Sequence, residues 1–153
     1  MTLLKHVKLL VFTFAGVLLF WCSGYFDNFS KFNQSNPYSP MDAIKEVVID
    51  EQGKFKYIQI NVKNKKTGEQ KLIVRGTKVG YHSEILDATQ SQLGNDYDCE
   101  SPGGGRIIHE PEKKKIFVFG YSMSFGLPSH EKTCELIRKY YPEYTVEWSN
   151  DGY

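Results

Sequence analysis

His82 closes the run Val74-Arg75-Gly76-Thr77-Lys78-Val79-Gly80-Tyr81-His82, in which two cations precede an imidazole able to exchange a proton near neutral pH. The pattern changes there from strand-like to helix-like, which puts His82 in the first turn of a helix. A helix N-terminus carries roughly half a positive charge, so it attracts anions and holds a nearby imidazole neutral. A neutral imidazole can take a proton from water or attack phosphorus itself. A capping or surface histidine without chemistry is the plain alternative, and the neighbouring segments weigh against it. Pro102-Gly103-Gly104-Gly105-Arg106 reads as a glycine loop whose N–H groups could converge on an anion, with Arg106 behind it to clamp phosphate oxygens. In Phe119-Gly120-Tyr121-Ser122-Met123-Ser124-Phe125-Gly126, Ser122 and Ser124 offer hydroxyls and backbone donors at the end of a strand. The three segments together suit chemistry on a phosphate.

The elements that must position these groups follow from periodicity. Ile44 to Ile49 predicts a short strand, Glu51-Gln52-Gly53 a turn, and Lys54 to Lys63 a longer strand with Ile58, Ile60 and Val62 on one face. Alternation puts Lys56 on that same face, at its rim. Lys71 to Arg75 predicts a third strand, and the spacing of Tyr81, Ile85, Leu86, Thr89 and Leu93 predicts a helix over 81–94. A loop is expected from Asn95 to Pro102, then strands at Arg106 to His109 and Lys115 to Tyr121. Ile116-Phe117-Val118-Phe119 is apolar on both faces, the mark of a central, doubly covered strand. A second helix is expected from His130 to Tyr140, capped by Ser129 and stopped by Pro142, followed by a strand in which Tyr144, Val146 and Trp148 alternate. The fold class is α+β, a single mixed sheet of about six strands with two helices packed on it, plus an N-terminal hydrophobic extension.

With 153 residues, 41% of them hydrophobic, the chain can build one domain with a core. Lys and Arg number 19 against 18 acidic residues, so the net charge of +1 argues against bulk nucleic-acid binding. Cys22, Cys99 and Cys134 form no C-x-x-C pair, and beside His109, Glu110 and Glu112 no second histidine stands at ligand spacing, so neither a metal nor another cofactor is expected. Cys99 and Cys134 read as free thiols, with a disulfide between them left open. His109 reads as a rim or structural residue, and His130 falls in the first turn of the second helix without a catalytic role. Leu9 to Cys22 is an apolar run behind Lys5 and Lys8, so residues 1–26 read as a signal peptide or a signal anchor, and residues 9–26 could contact a membrane. Residues 27–43 read as a polar linker carrying the glycosylation triplets at Asn28 and Asn33, and 44–153 as the domain.

Several separated blocks in order, Gly53-Lys54-Phe55-Lys56-Tyr57, Val74-Arg75-Gly76, Tyr81-His82, Gly103-Gly104-Gly105-Arg106-Ile107, Gly120-Tyr121-Ser122-Met123, Tyr141-Pro142 and Asn150-Asp151-Gly152-Tyr153, give the chain a clear likeness. From Val47 to its end it resembles the small, metal-independent phosphohistidine phosphatases, the group that includes the Janus-type proteins. The resemblance implies hydrolysis of the P–N bond of phosphohistidine in proteins without a metal; separately, a monomer is expected. It implies that His82 is catalytic, as base or nucleophile, and that Lys56 binds substrate. Ser122, Met123 and Ser124 would hold the phosphate largely through backbone N–H groups, and Arg106 and Arg75 would be basic residues in or near the site. A catalytically weak phosphoprotein-binding module of the same fold is the rival expectation. The family's usual setting suggests the cytosol, whereas the N-terminal segment suggests the secretory pathway or a single-pass anchor. Ser124 stands where other members often carry a small apolar residue, and Cys99 followed by Ser101-Pro102 replaces a more cysteine-rich approach to the glycines.

Overall fold

The computed structural model describes residues 39–152. The expected signal or anchor segment at 1–26, the linker up to residue 38 and both glycosylation triplets lie outside the described residues. Among the described residues no helix is long and apolar enough to cross a membrane.

Six strands form one mixed sheet: β1 (Val47–Ile49), β2 (Gly53–Asn64), β3 (Gln70–Thr77), β4 (Tyr97–Glu110), β5 (Lys115–Phe119) and β6 (Thr145–Trp148), in the spatial order β1-β3-β2-β4-β5-β6. The β1/β3 and β5/β6 pairs are parallel, and the others are antiparallel. Helix α1 (His82–Leu93) and helix α2 (His130–Tyr140) cover opposite faces. The α+β expectation, with two helices on a six-stranded mixed sheet, therefore holds.

Period-two alternation explains how one sheet serves two cores. Along β2, Phe55 and Tyr57 turn toward α2 and join Val74, Ile107, Ile116, Val118, Cys134 and Ile137. Ile58, Ile60 and Val62 turn the other way and pack with Ile73, Ile85, Met41 and Ile44 under α1. Burying an aliphatic side chain of this size contributes about 1.5–3 kcal/mol, so both helices are held mainly by these faces. Local signals set their ends. The Glu84 carboxylate accepts the Tyr81 N–H at 2.6 Å where α1 begins, and Gly94, at φ 79°, ends it by donating to Gln90 O at 2.9 Å. Ser129 caps α2 by accepting from Lys132 N at 3.4 Å, and the helix stops just before Pro142.

The structure departs from the sequence pattern in four places. β1 is only Val47–Ile49, because Ile44 closes a turn onto Met41 O and buries its side chain against the α1 core. β5 ends at Phe119 and is the penultimate strand rather than a central one; Ile116 and Val118 face α2, while Phe117 on the other face is only half-buried. From Tyr97 onward, the expected loop at 95–102 is the opening part of β4. The glycine triplet is also strand: Gly103, Gly104 and Gly105 pair with Gln59, Ile58 and Tyr57. Their value is the missing Cβ. A Cβ on Gly103 would lie 2.6 Å from Pro128 N, one on Gly104 2.7 Å from Tyr57 O, and one on Gly105 2.6 Å from Phe119 O.

Backbone atoms cannot rotate out of the way of an added methyl group. Gly103→Ala is therefore expected to lower stability by roughly 1–3 kcal/mol, read as a reduced urea midpoint with an unchanged m value.

Candidate active site

His82 is the first residue of α1 and lies over the glycine stretch of β4. A Cβ on Gly104 would come within 3.0 Å of its Cδ2, so the glycine is what lets the ring settle against the sheet. There its Nε2 lies 3.0 Å from the carbonyl oxygen of Gly105. A carbonyl only accepts, so Nε2 carries the proton and Nδ1 keeps a free lone pair. Nδ1 makes no hydrogen bond and is not among the sealed, unpartnered nitrogens of the described residues, so it remains open to solvent. The ring is otherwise buried, at 8% exposure. Burial pushes its pKa below the ordinary value, Lys56 and Arg106 push it the same way, and the Gly105 hydrogen bond works against them.

Lys56 and Arg106 meet because of register. They are direct partners across β2 and β4, so their side chains leave the same face, the one that carries Gly104 and α1. Lys56 donates from Nζ to Val79 O at 3.3 Å, which fixes it beneath the segment leading into α1. The other expected basic residue behaves differently. Arg75 also starts on the α1 face, opposite Ile58, but its guanidinium donates to the carbonyls of Val74 (2.9 Å), Lys45 (2.8 Å) and Glu46 (3.4 Å). The charges that act on His82 are those of Lys56 and Arg106.

The serine segment is a tight turn, with Ser122 N donating to Gly126 O at 3.1 Å and Gly126 N to Ser122 O at 2.7 Å. Ser122 is buried and its Oγ accepts from Phe125 N at 3.3 Å. Its own N–H is thus spent inside the turn, while the N–H groups of Met123 and Ser124 find no acceptor among the described residues. Gly104 ties this turn to the histidine, since its N–H donates to Gly126 O at 3.2 Å while its open side receives the His82 ring. One strand position thus brings His82, the turn and the Lys56–Arg106 pair to one place.

Sequence reasoning missed two backbone groups that matter here: the carbonyl of Gly105, which selects the tautomer, and the carbonyl of Val79, which aims Lys56. Both act through backbone, which side-chain type does not reveal. The other histidines among the described residues, His109 and His130, sit on the α2 side. His109 Nδ1 lies 2.9 Å from Asp50 O and its ring packs edge-on against Tyr141 and Tyr144. His130 Nδ1 lies 2.6 Å from the Tyr57 hydroxyl, and its Nε2 faces the Gly120 carbonyl without reaching hydrogen-bond geometry. Burial raises the Tyr57 pKa and lowers that of His130, so Tyr57 donates and His130 stays neutral. Cys99 and Cys134 are free thiols in separate cores on the two faces of the sheet. Among the described residues no group of three His, Cys, Asp or Glu side chains could hold a metal.

The profile of the Janus/Ocnus family matches residues 41–145, a span that contains every residue of this site. The chain belongs to the Janus/Ocnus family. It is 44% identical over 117 residues to the 14 kDa phosphohistidine phosphatase of Sus scrofa, covering 72% of this chain and 93% of that protein. The Homo sapiens protein of the same description is also 44% identical, with 94% of it covered. The sex-regulated protein janus-A of Drosophila melanogaster is 40% identical over 111 residues, covering 70% of this chain and 80% of that one. The resemblance read from the sequence motifs is thereby shown.

A buried imidazole beside two cations should resist protonation. In an NMR titration His82 is expected to titrate below about 6.5, the ordinary histidine value, and Lys56→Gln or Arg106→Gln should each raise its pKa by removing a repelling charge. The lowered values of His82 and His130 have the same sign. The unfolded chain binds protons that the native state refuses, so the melting temperature should fall as pH drops below about 6.5.

Proposed function

We propose that this protein is a phosphohistidine phosphatase that hydrolyses the P–N bond of phosphohistidine in proteins without a metal. The observation that carries the reading is the His82–Gly105 hydrogen bond, which leaves an unprotonated, solvent-facing Nδ1 beside Lys56 and Arg106. The names of the mammalian relatives support the substrate. Nδ1 either takes the proton of a water that attacks phosphorus or attacks phosphorus itself; both routes leave from the same lone pair. As the P–N bond breaks, its two electrons go to the departing histidine ring, which takes up a proton from water; on the second route a water then cleaves the new bond between phosphorus and His82 Nδ1, releasing phosphate and restoring the free imidazole.

In this reading Lys56 and Arg106 bind the phosphoryl oxygens and neutralise charge that grows as the bond to nitrogen opens. The N–H groups of Met123 and Ser124 serve as further donors, and Ser122 shapes the turn that presents them. Arg75 contributes at one remove, by tying β3 to the segment before β1. Metal independence has a physical basis in the same charges, because a divalent cation at Nδ1 would face both Lys56 and Arg106. Burial and the neighbouring Lys56 and Arg106 charges lower the His82 pKa, which favours the neutral form the base needs.

The test is release of phosphate from a phosphohistidine peptide in the presence of EDTA. The wild-type chain should turn over with undiminished rate under chelation, and His82→Ala should lose about 10²–10⁴-fold. The acidic limb of the pH-rate profile should lie below about pH 6.5. Saturable binding without phosphate release by the wild type would instead make the protein a phosphoprotein-binding module.

A further inference from the structure

The Lys56–Arg106 pair borders a cavity of about 80 Å³ that also has Lys54 and Lys78 on its walls. Four cations around so small a space stand out in a chain whose net charge is only +1. Two of them suffice to meet one phosphoryl group, and the other two are placed outward from it. Lys54 leaves β2 on the same face as Lys56, two residues away, a separation of about 7 Å along the strand. Its ammonium rests 5.3 Å over the ring of Phe119, the direct β5 partner of Arg106, so it is held above this patch rather than left to swing. Lys78 reaches the cavity from the segment before α1.

Neighbouring carboxylates are already committed. Asp50 accepts from Thr77 Oγ1 at 3.1 Å and from Lys78 N at 2.8 Å, Glu84 from Tyr81 N, and Glu110 from Lys113. Six other lysines form ion pairs with Asp or Glu elsewhere in the fold. Among the described residues the ammonium groups of Lys54 and Lys78 have no acidic partner.

We propose that Lys54 and Lys78 form a second anion subsite beside the phosphoryl clamp, and that it selects phosphohistidine segments with an aspartate or glutamate one or two residues from the phosphohistidine. The proposal rests on the phosphatase reading and adds its substrate preference. An extended peptide advances about 3.4 Å per residue, so a carboxylate at that remove spans the gap from Lys56 to Lys54. A polypeptide occupant also suits Tyr81, next to His82 in the chain, and Met123 in the serine turn, which are 74% and 85% exposed and offer apolar surface for a bound chain to cover.

Two phosphohistidine peptides, one with flanking Asp and Glu and one with flanking Ser and Gly, decide the matter. Turnover is measured with the wild type and with a Lys54→Gln/Lys78→Gln double variant, and binding of the same peptides with both chains carrying His82→Ala. The wild-type site should favour the acidic peptide by roughly tenfold in KM and in Kd at low salt, the sum of two exposed charge pairs, and the preference should shrink as salt is added. The double variant should lose that preference while hydrolysing the neutral peptide at the wild-type rate. Turnover without preference, or a preference that survives in the double variant, overturns the subsite. A lysine-dependent preference in binding without any turnover keeps the subsite and overturns the phosphatase reading. Absence of both turnover and preference overturns both.

Discussion

The close approach allowed by the absence of Cβ atoms at Gly103, Gly104 and Gly105 is the constraint on which the rest depends. At three successive positions of a paired strand, backbone or ring atoms occupy the volume a side chain would need: Pro128 on one face, His82 and Ile58 on the other, then Tyr57 and the end of β5. Such a strand has little of its own to bury and gains its order from what packs onto it. The result is a thin place in the sheet. The catalytic candidate can lie flat on the backbone there and use a main-chain carbonyl as its tautomer-setting partner, an arrangement that no side-chain acceptor would hold so rigidly.

The electrostatics of the site follow from strand register. Because Lys56 and Arg106 are cross-strand partners, a slip of one residue would send one of them to the α2 core, where it would be buried without an anion. The apolar run Ile58, Ile60 and Val62 under α1 prevents such a slip, so hydrophobic packing far from the chemistry fixes where the positive charge stands. The same cations that would bind an anion keep the imidazole unprotonated. One pair of side chains thus does two jobs, and the cost is a native state that resists proton uptake at His82.

Most of the scaffold was legible in the sequence because it rests on strong periodicity. The alternation in β2, the helical spacing from Tyr81 to Leu93 and the Ser129 cap all match the observed elements. Lys56 at the rim of the α1 face was legible for the same reason. The opening part of β4 was not. Asp98 and Glu100 are poor strand residues by composition, yet they occupy a strand because the long β2 gives them partners in Lys63 and Asn61. The glycines were seen, but their role was not, since three glycines look alike whether they turn a chain or flatten it. Arg75 illustrates the complementary limit: its type and position suit an anion, and only the fold discloses the three carbonyls that occupy it.

The unpromising composition of Tyr97 to Pro102 has its own logic. β5 pairs with β4 only from Arg106 onward, so this earlier part of β4 leaves one margin of the sheet without a strand alongside. A long, bare margin is a template on which a second polypeptide can add itself. Here Asp98 and Glu100 place exposed negative charges along it, and Pro102 offers no N–H to an incoming strand. The residues that made the segment look like a loop make this margin a poor template for self-association into extended β aggregates.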